Sequence, residues 1–202
     1  MAKDESSGPT LAMLLLGEVP PGLAALDALA KEADVDVLRS GTIHGGRYLI
    51  LFGGEVGPVE RSHRRALDVA GSLVVDEMLL PDAEPRLAPA IVAGVTRWPA
   101  PGDTLGALQA PTPPMLVRAV DAALKGALVD LVELRVGDGL GGKAIASLWG
   151  ETHDVEAAIA LARASFEKAG AQGTSTAVIA RADQAVQETL GIPSRFFREF
   201  RG

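Results

Sequence analysis

The chain has 202 residues, 48% hydrophobic and 22% charged, an ordinary globular composition long enough for one large or two small domains. A net charge of -7 and a sequence pI near 5.0 argue against nucleic acid as a partner. No cysteine is present, which excludes disulfides, thiolate metal sites, iron–sulfur ligation and a cysteine nucleophile, and three histidines (His44, His63, His153) leave little for a zinc site.

The opening "MAKDESSGPT" is polar and predicts a disordered tail over residues 1–10. The apolar run after it, "LAMLLLG", is too short for a secretory signal with its cleavage site. No stretch approaches the roughly 18 apolar residues of a membrane span, so the expectation is a soluble cytoplasmic protein with no membrane contact. In chain order, the strand "LAMLLLGE" runs into prolines suited to the first turn of a helix, "PGLAALDALAKEA". An alternating strand, "VDVLR", follows, with apolar residues inward and charged ones outward. Then come a glycine turn, the strand "RYLILFG", the helix "VERSHRRALDVAG", the strand "LVVDEMLL" and a short helix in "DAEPRLAPAIV".

After a Pro- and Gly-marked linker over 95–104 the whole series recurs. The strand "LGALQA" leads to the helix "PMLVRAVDAALKGA", where Leu116, Val120, Ala123 and Leu124 form one buried stripe. "VDLVELRV", "KAIASLWG", "DVEAAIALARASFEKAG", "STAVIA" and a short helix in "ADQAVQETLG" complete the second series. The match holds residue by residue. Leu11 falls on Leu105, Pro20 on Pro114, Asp27 on Asp121, Lys31 on Lys125 and Asp36 on Asp130. After a two-residue insertion Gly45-Gly46-Arg47 falls on Gly141-Gly142-Lys143, and Val59-Glu60 on Val155-Glu156. The fold class is therefore α/β (α+β): two tandem ferredoxin-like β-α-β-β-α-β domains, over 11–94 and 105–191, with a C-terminal tail over 192–202.

The stretch "GDGLGGKA" (137–144) satisfies the G-x-G-x-x-G dinucleotide fingerprint and misses a P-loop by one residue, Ala144 in place of Ser or Thr. Both motifs work by delivering backbone N–H groups at a helix N-terminus. Here the loop leads into a strand, and the first copy, "GTIHGGRY", keeps only the double glycine. The glycines supply the positive φ that a hairpin needs, and the nucleotide reading fails on context.

Two such units, each with a lysine closing its first helix and a Gly-Gly-basic hairpin after its second strand, resemble the tandem-domain shell proteins of bacterial microcompartments. The carrying stretches are "LDALAKEADVDVL" and "VDAALKGALVDLV", then "HGGRYLILFGGEVGPVE" and "LGGKAIASLWGETHDVEAA". They keep the unpermuted strand order. The resemblance implies a homotrimer forming a flat pseudohexamer, tiled edge to edge beside hexameric shell proteins around encapsulated enzymes in the cytoplasm. It places His44 and Leu140 at corresponding positions around a central pore for metabolites, flanked by Ile43, Gly45, Gly46, Gly139, Gly141 and Gly142, with Asp138 facing the opening. A protonated imidazole there would favour anionic metabolites. Lys31 and Lys125 take the family's edge-lysine positions and Arg181 its edge arginine. Glu32 and Asp34 are given no role. Some relatives hold an iron–sulfur cluster through a cysteine of this loop; without cysteine, no cofactor and no metal are expected here.

Blander readings stand beside these. His63 and His153 read as surface residues. Glu55, Glu60, Glu151 and Glu156 read as helix-start acids favoured by the dipole rather than catalytic carboxylates. Phe196, Phe197 and Phe200, interleaved with Arg195, Arg198 and Arg201, read either as a tail packed on the chain's own surface or as a contact segment. Such a segment would meet cargo or a neighbouring tile ahead of nucleic acid or membrane, and a protein contact is the favoured reading. The rival function is a trimeric ferredoxin-like module that binds a small regulatory ligand. An enzyme ranks last, with no catalytic residue to name.

Overall fold

The computed structural model describes residues 8–94, 103–137 and 139–189. Each half of the chain builds one four-stranded antiparallel sheet, with helices supplied by the crossovers between strands. In the first half β1 (Thr10–Leu16), α1 (Val19–Glu32), β2 (Asp36–Ile43), β3 (Arg47–Gly54), α2 (Val56–Ala70) and β4 (Val74–Leu80) follow in order, then α3 (Leu87–Ala93). The second half repeats them as β5 (Thr104–Ala110), α4 (Pro113–Gly126), β6 (Asp130–Val136), β7 (Ala144–Gly150), α5 (Thr152–Lys168) and β8 (Ser175–Ile179), then α6 (Gln184–Thr189). The sheet orders are β2-β3-β1-β4 and β6-β7-β5-β8, the split β-α-β arrangement expected from the sequence. β1 and β5 each begin one residue before the expected domain limits of 11 and 105.

The register of the central strands is the same in both. Leu11 pairs with Gly53 and Leu80, and Leu105 with Trp149 and Ile179. Both faces of β1 are apolar and buried, which explains the unbroken "LAMLLL". One face, with Ala12, Leu14 and Leu16, packs with Ile50, Phe52, Ala25, Leu29, Val59 and Ala66 of the flanking strand and helices. Two glycines permit the close helix approach. A Cβ on Gly22 would lie 2.5 Å from the Tyr48 side chain, and one on Gly106 would lie 2.9 Å from Val155. The paired prolines at the starts of α1 and α4 sit where no intrahelical N–H is needed.

Two compact units divide the molecule, though not at the linker. The first takes in the described residues to Thr42 together with Gly46–Pro85; the second takes in Ile43–Gly45 and the described residues from Arg86 onward. Helix α3, read from the sequence as the end of the first domain, packs against β6 of the second unit, where Leu134 N–H donates to Gly94 O at 3.0 Å. The expected linker (except Asp103 and Thr104) and the C-terminal Phe/Arg tail lie outside the described residues.

Two side chains depart from the patterns read in the sequence. Glu133, expected to face outward from an alternating strand, is buried. A register shift between Leu131 and Glu133 turns the carboxylate onto Ser147 Oγ (3.2 Å) and Arg135 Nε (3.0 Å). His63, expected on the surface, is also buried, against Phe52. His153 is exposed as expected.

Candidate functional site

The first hairpin turn is His44-Gly45-Gly46, with φ of 83° and 70° at the two glycines. A side chain at either would meet nothing within 4 Å, so the requirement is the left-handed backbone and not space. The second, Gly137–Lys143, spans seven residues against three and carries positive φ at Gly137, Gly139, Gly141 and Gly142. It joins β6 to β7 and meets no helix N-terminus, in keeping with the rejection of a phosphate cradle. Asp138 lies outside the described residues.

Within the second unit, the exposed His44 points its Nδ1 at Gly137 O, 3.3 Å away. Two turns that the sequence could only align are thus brought side by side. Ile43 and Gly142 are buried, Leu140 is half-buried, and Gly45, Gly46, Gly139 and Gly141 are exposed. Arg47 and Lys143 put one positive charge at the base of each turn. Among the described residues, no group of three metal-ligating side chains comes together within the chain.

The edge residues hold matching places with different surroundings. Lys31 closes α1 and pairs with Asp27 at 2.7 Å, both well exposed. Lys125 closes α4 and pairs with Asp121 at 2.8 Å, but this aspartate is only 9% exposed. The same contrast runs along both helices and the strands after them. Leu23 is 51% exposed, whereas its counterpart Val117 is 0%; Val37 is 40% exposed and its counterpart Leu131 is 2%. One copy of this face is covered within the chain and the other is bare. Arg181 follows β8, exposed, with φ of 48°, a left-handed backbone unusual for a side-chain-bearing residue.

Sequence reasoning missed His63, Arg86 and Leu128. His63 lies one helical turn after the buried Val59 and one before Ala66–Ala70, so the 3.6-residue period carried its burial. Glu77 Oε2 comes within 3.0 Å of its Nε2. Burial lowers the imidazole's proton affinity, and the Glu77 charge and hydrogen bond oppose that only in part. The Arg86 guanidinium donates to Val129 O (2.9 Å) and Leu124 O (3.4 Å), holding the end of α4; no local pattern signals that contact.

Comparison with known proteins is consistent along the chain. The BMC domain model matches residues 10–83 and again 104–182. The bacterial microcompartment shell protein PduT of Citrobacter freundii is 32% identical over 165 residues, 81% of this chain and 86% of that protein. A microcompartment protein from Desulfitobacterium hafniense DCB, known from a crystal structure, superimposes with a TM-score of 0.80 at 28% identity, over 90% of this chain and 99% of that one. The fused permuted hexameric shell protein of the RMM microcompartment shares the fold, with a TM-score of 0.57 at 21% identity over 79% and 84% of the two chains.

Proposed function

This chain belongs to the BMC-domain family, a structural and non-catalytic shell protein of a bacterial microcompartment that assembles with other shell proteins, and we propose that three copies of it close into a pseudohexameric tile around a metabolite pore. The observation that carries the trimer is the bare face of the first unit. Leu23 and Val37 are open to solvent where Val117 and Leu131 are closed over. A surface covered in one repeat and bare in its duplicate supports a head-to-tail contact, which closes into a ring when the next chain supplies the missing cover.

The pore takes its lining from His44, Gly45 and Gly46 of one turn and from Gly139, Leu140 and Gly141 of the other, six turns around the axis, with Ile43 and Gly142 buried behind them. The short distance from His44 to Gly137 supports their convergence. The lining is backbone amide, imidazole and, at its base, Arg47 and Lys143, which suits small anions. With no thiolate in the chain, the pore stays free of an iron–sulfur cofactor. Lys31, Lys125 and Arg181 make the lateral contacts to neighbouring tiles, and the inner face is left to encapsulated enzymes.

Light scattering after gel filtration tests this reading. The expected mass is about three times 20.9 kDa, with flat discs in electron micrographs of the same fraction. A single-chain mass at every concentration would remove the tile. In assembled shells, replacing His44 should change solute passage and leave the trimer intact.

A further inference from the structure

The two lateral edges of the chain differ in kind, a difference that bears on function only if the tile reading above holds. On the first unit the edge is charged. Lys31 is followed by the exposed Glu32 and Asp34, and Arg65 is exposed on the neighbouring helix α2. At the aligned positions of the second unit stand Lys125, Gly126, Leu128 and Leu161. Three charges are replaced by a glycine and two leucines. Leu128 is 84% exposed, more than any other large apolar residue among those described, and Leu161 is exposed as well.

This apolar edge is built rather than frayed. Leu161 lies directly on Gly126, where an added Cβ would come within 2.4 Å of its Cδ1. Arg86 bonds to carbonyls on both sides of the turn, at Leu124 and Val129. Lys125 is held against the nearly buried Asp121, so its charge is already partnered. Such a turn offers an apolar contact with little left to order on binding.

The partner must be apolar too. Set against the first unit's edge, Leu128 would strip water from Glu32 and Asp34 and offer only methyl groups in return. A contact about a two-fold axis, by contrast, needs a single self-complementary patch, which this edge supplies. We infer that the second unit's edge docks against the same edge of a second tile, with the Leu128–Leu161 patch facing its own copy, and that the charged edge of the first unit is left for other shell proteins.

The symmetry of the tile makes this specific. A three-fold tile alternates its two kinds of edge, so opposite sides are always unlike. Tiles related by translation alone would place Leu128 against Asp34. Pairing like with like turns each neighbour by half a turn, and the net that satisfies every second-unit edge is a honeycomb. Its vacancies are each ringed by six first-unit edges, a seat for a tile with six equal edges.

The absence of native cysteine makes the test direct. Leu128→Cys trimers treated with a short bismaleimide should yield a two-chain product linked at position 128 on both sides, while Asp34→Cys trimers yield none. Leu128→Asp should leave the trimer mass unchanged and raise the concentration at which trimers associate about tenfold or more, as expected for losing a buried leucine contact. Trimers of Leu128→Cys that link only to Asp34→Cys partners, or Leu128→Asp trimers that associate like the parent, would overturn the inference. A chain that never trimerises would instead end the tile reading itself.

Discussion

The two units are copies with one fold and one register, yet they present opposite surfaces. In the second, α4 is buried almost all round, from Leu116 to Leu124; in the first, α1 buries only Gly22, Ala25 and Leu29. Strand β6 is closed over where β2 is open. The scaffold is shared and the substitutions on this face differ: it is apolar and buried in one copy, and exposed in the other. Buried Asp121 and Glu133 and half-buried Arg86 pin the covered copy; solvated Asp27, Arg39 and Glu32 keep the bare copy from aggregating.

The sharpest way to break this comparison is one substitution made in both copies. Val117→Asp buries an uncompensated charge and should cost on the order of 3–5 kcal/mol, read by thermal or denaturant unfolding. Leu23→Asp, at the aligned site, should change single-chain stability by no more than about 0.5 kcal/mol while abolishing the trimer, read by light scattering. Equal unfolding by both would mean that the faces are not differently used. The lysine pairs give a smaller contrast. Lys125→Ala should cost about 1 kcal/mol because Asp121 is 9% exposed, against about 0.3–0.5 kcal/mol for Lys31→Ala, whose Asp27 is solvated. Together the two changes should leave the trimer and stop sheet formation.

A pH profile sharpens the comparison in the cores. His63 is matched by Ile159, and its folded-state pKa lies below the ordinary 6.5. The folded chain then binds fewer protons than the unfolded one. Its contribution is full above pH 6.5 and is lost as pH falls through the folded value. Urea unfolding should weaken over that acid window, and His63→Ile should remove that part of the slope. The smallest effect is expected at Arg181. Glycine there relieves the left-handed backbone but adds unfolded-state freedom, so stability should stay within about 0.5 kcal/mol while lateral assembly weakens.

What the sequence revealed was what local periodicity and recurrence can carry. Leu11 on Leu105 and Lys31 on Lys125 gave the duplication; the prolines, the 3.6-residue stripe of α4 and the positive-φ glycines gave the elements and both turns. What stayed hidden depends on neighbours far along the chain. The alternation of "VDLVELRV" could not foretell the bulge that buries Glu133, because that depends on the register with Ser147. Nothing in "DAEPRLAPAIV" says that α3 joins the second unit, since its apolar stripe fits either sheet. Leu128 replaces Asp34 in plain sight, but its meaning needs the exposure that only the fold supplies.

Amide hydrogen exchange of β2 against β6, followed above and below the concentration at which the chain assembles, tests the central claim most directly. The account predicts that β6 is protected throughout and that β2 gains comparable protection only on assembly, when another copy covers its face. A β2 that exchanges as freely in the assembled protein as in the single chain would contradict it.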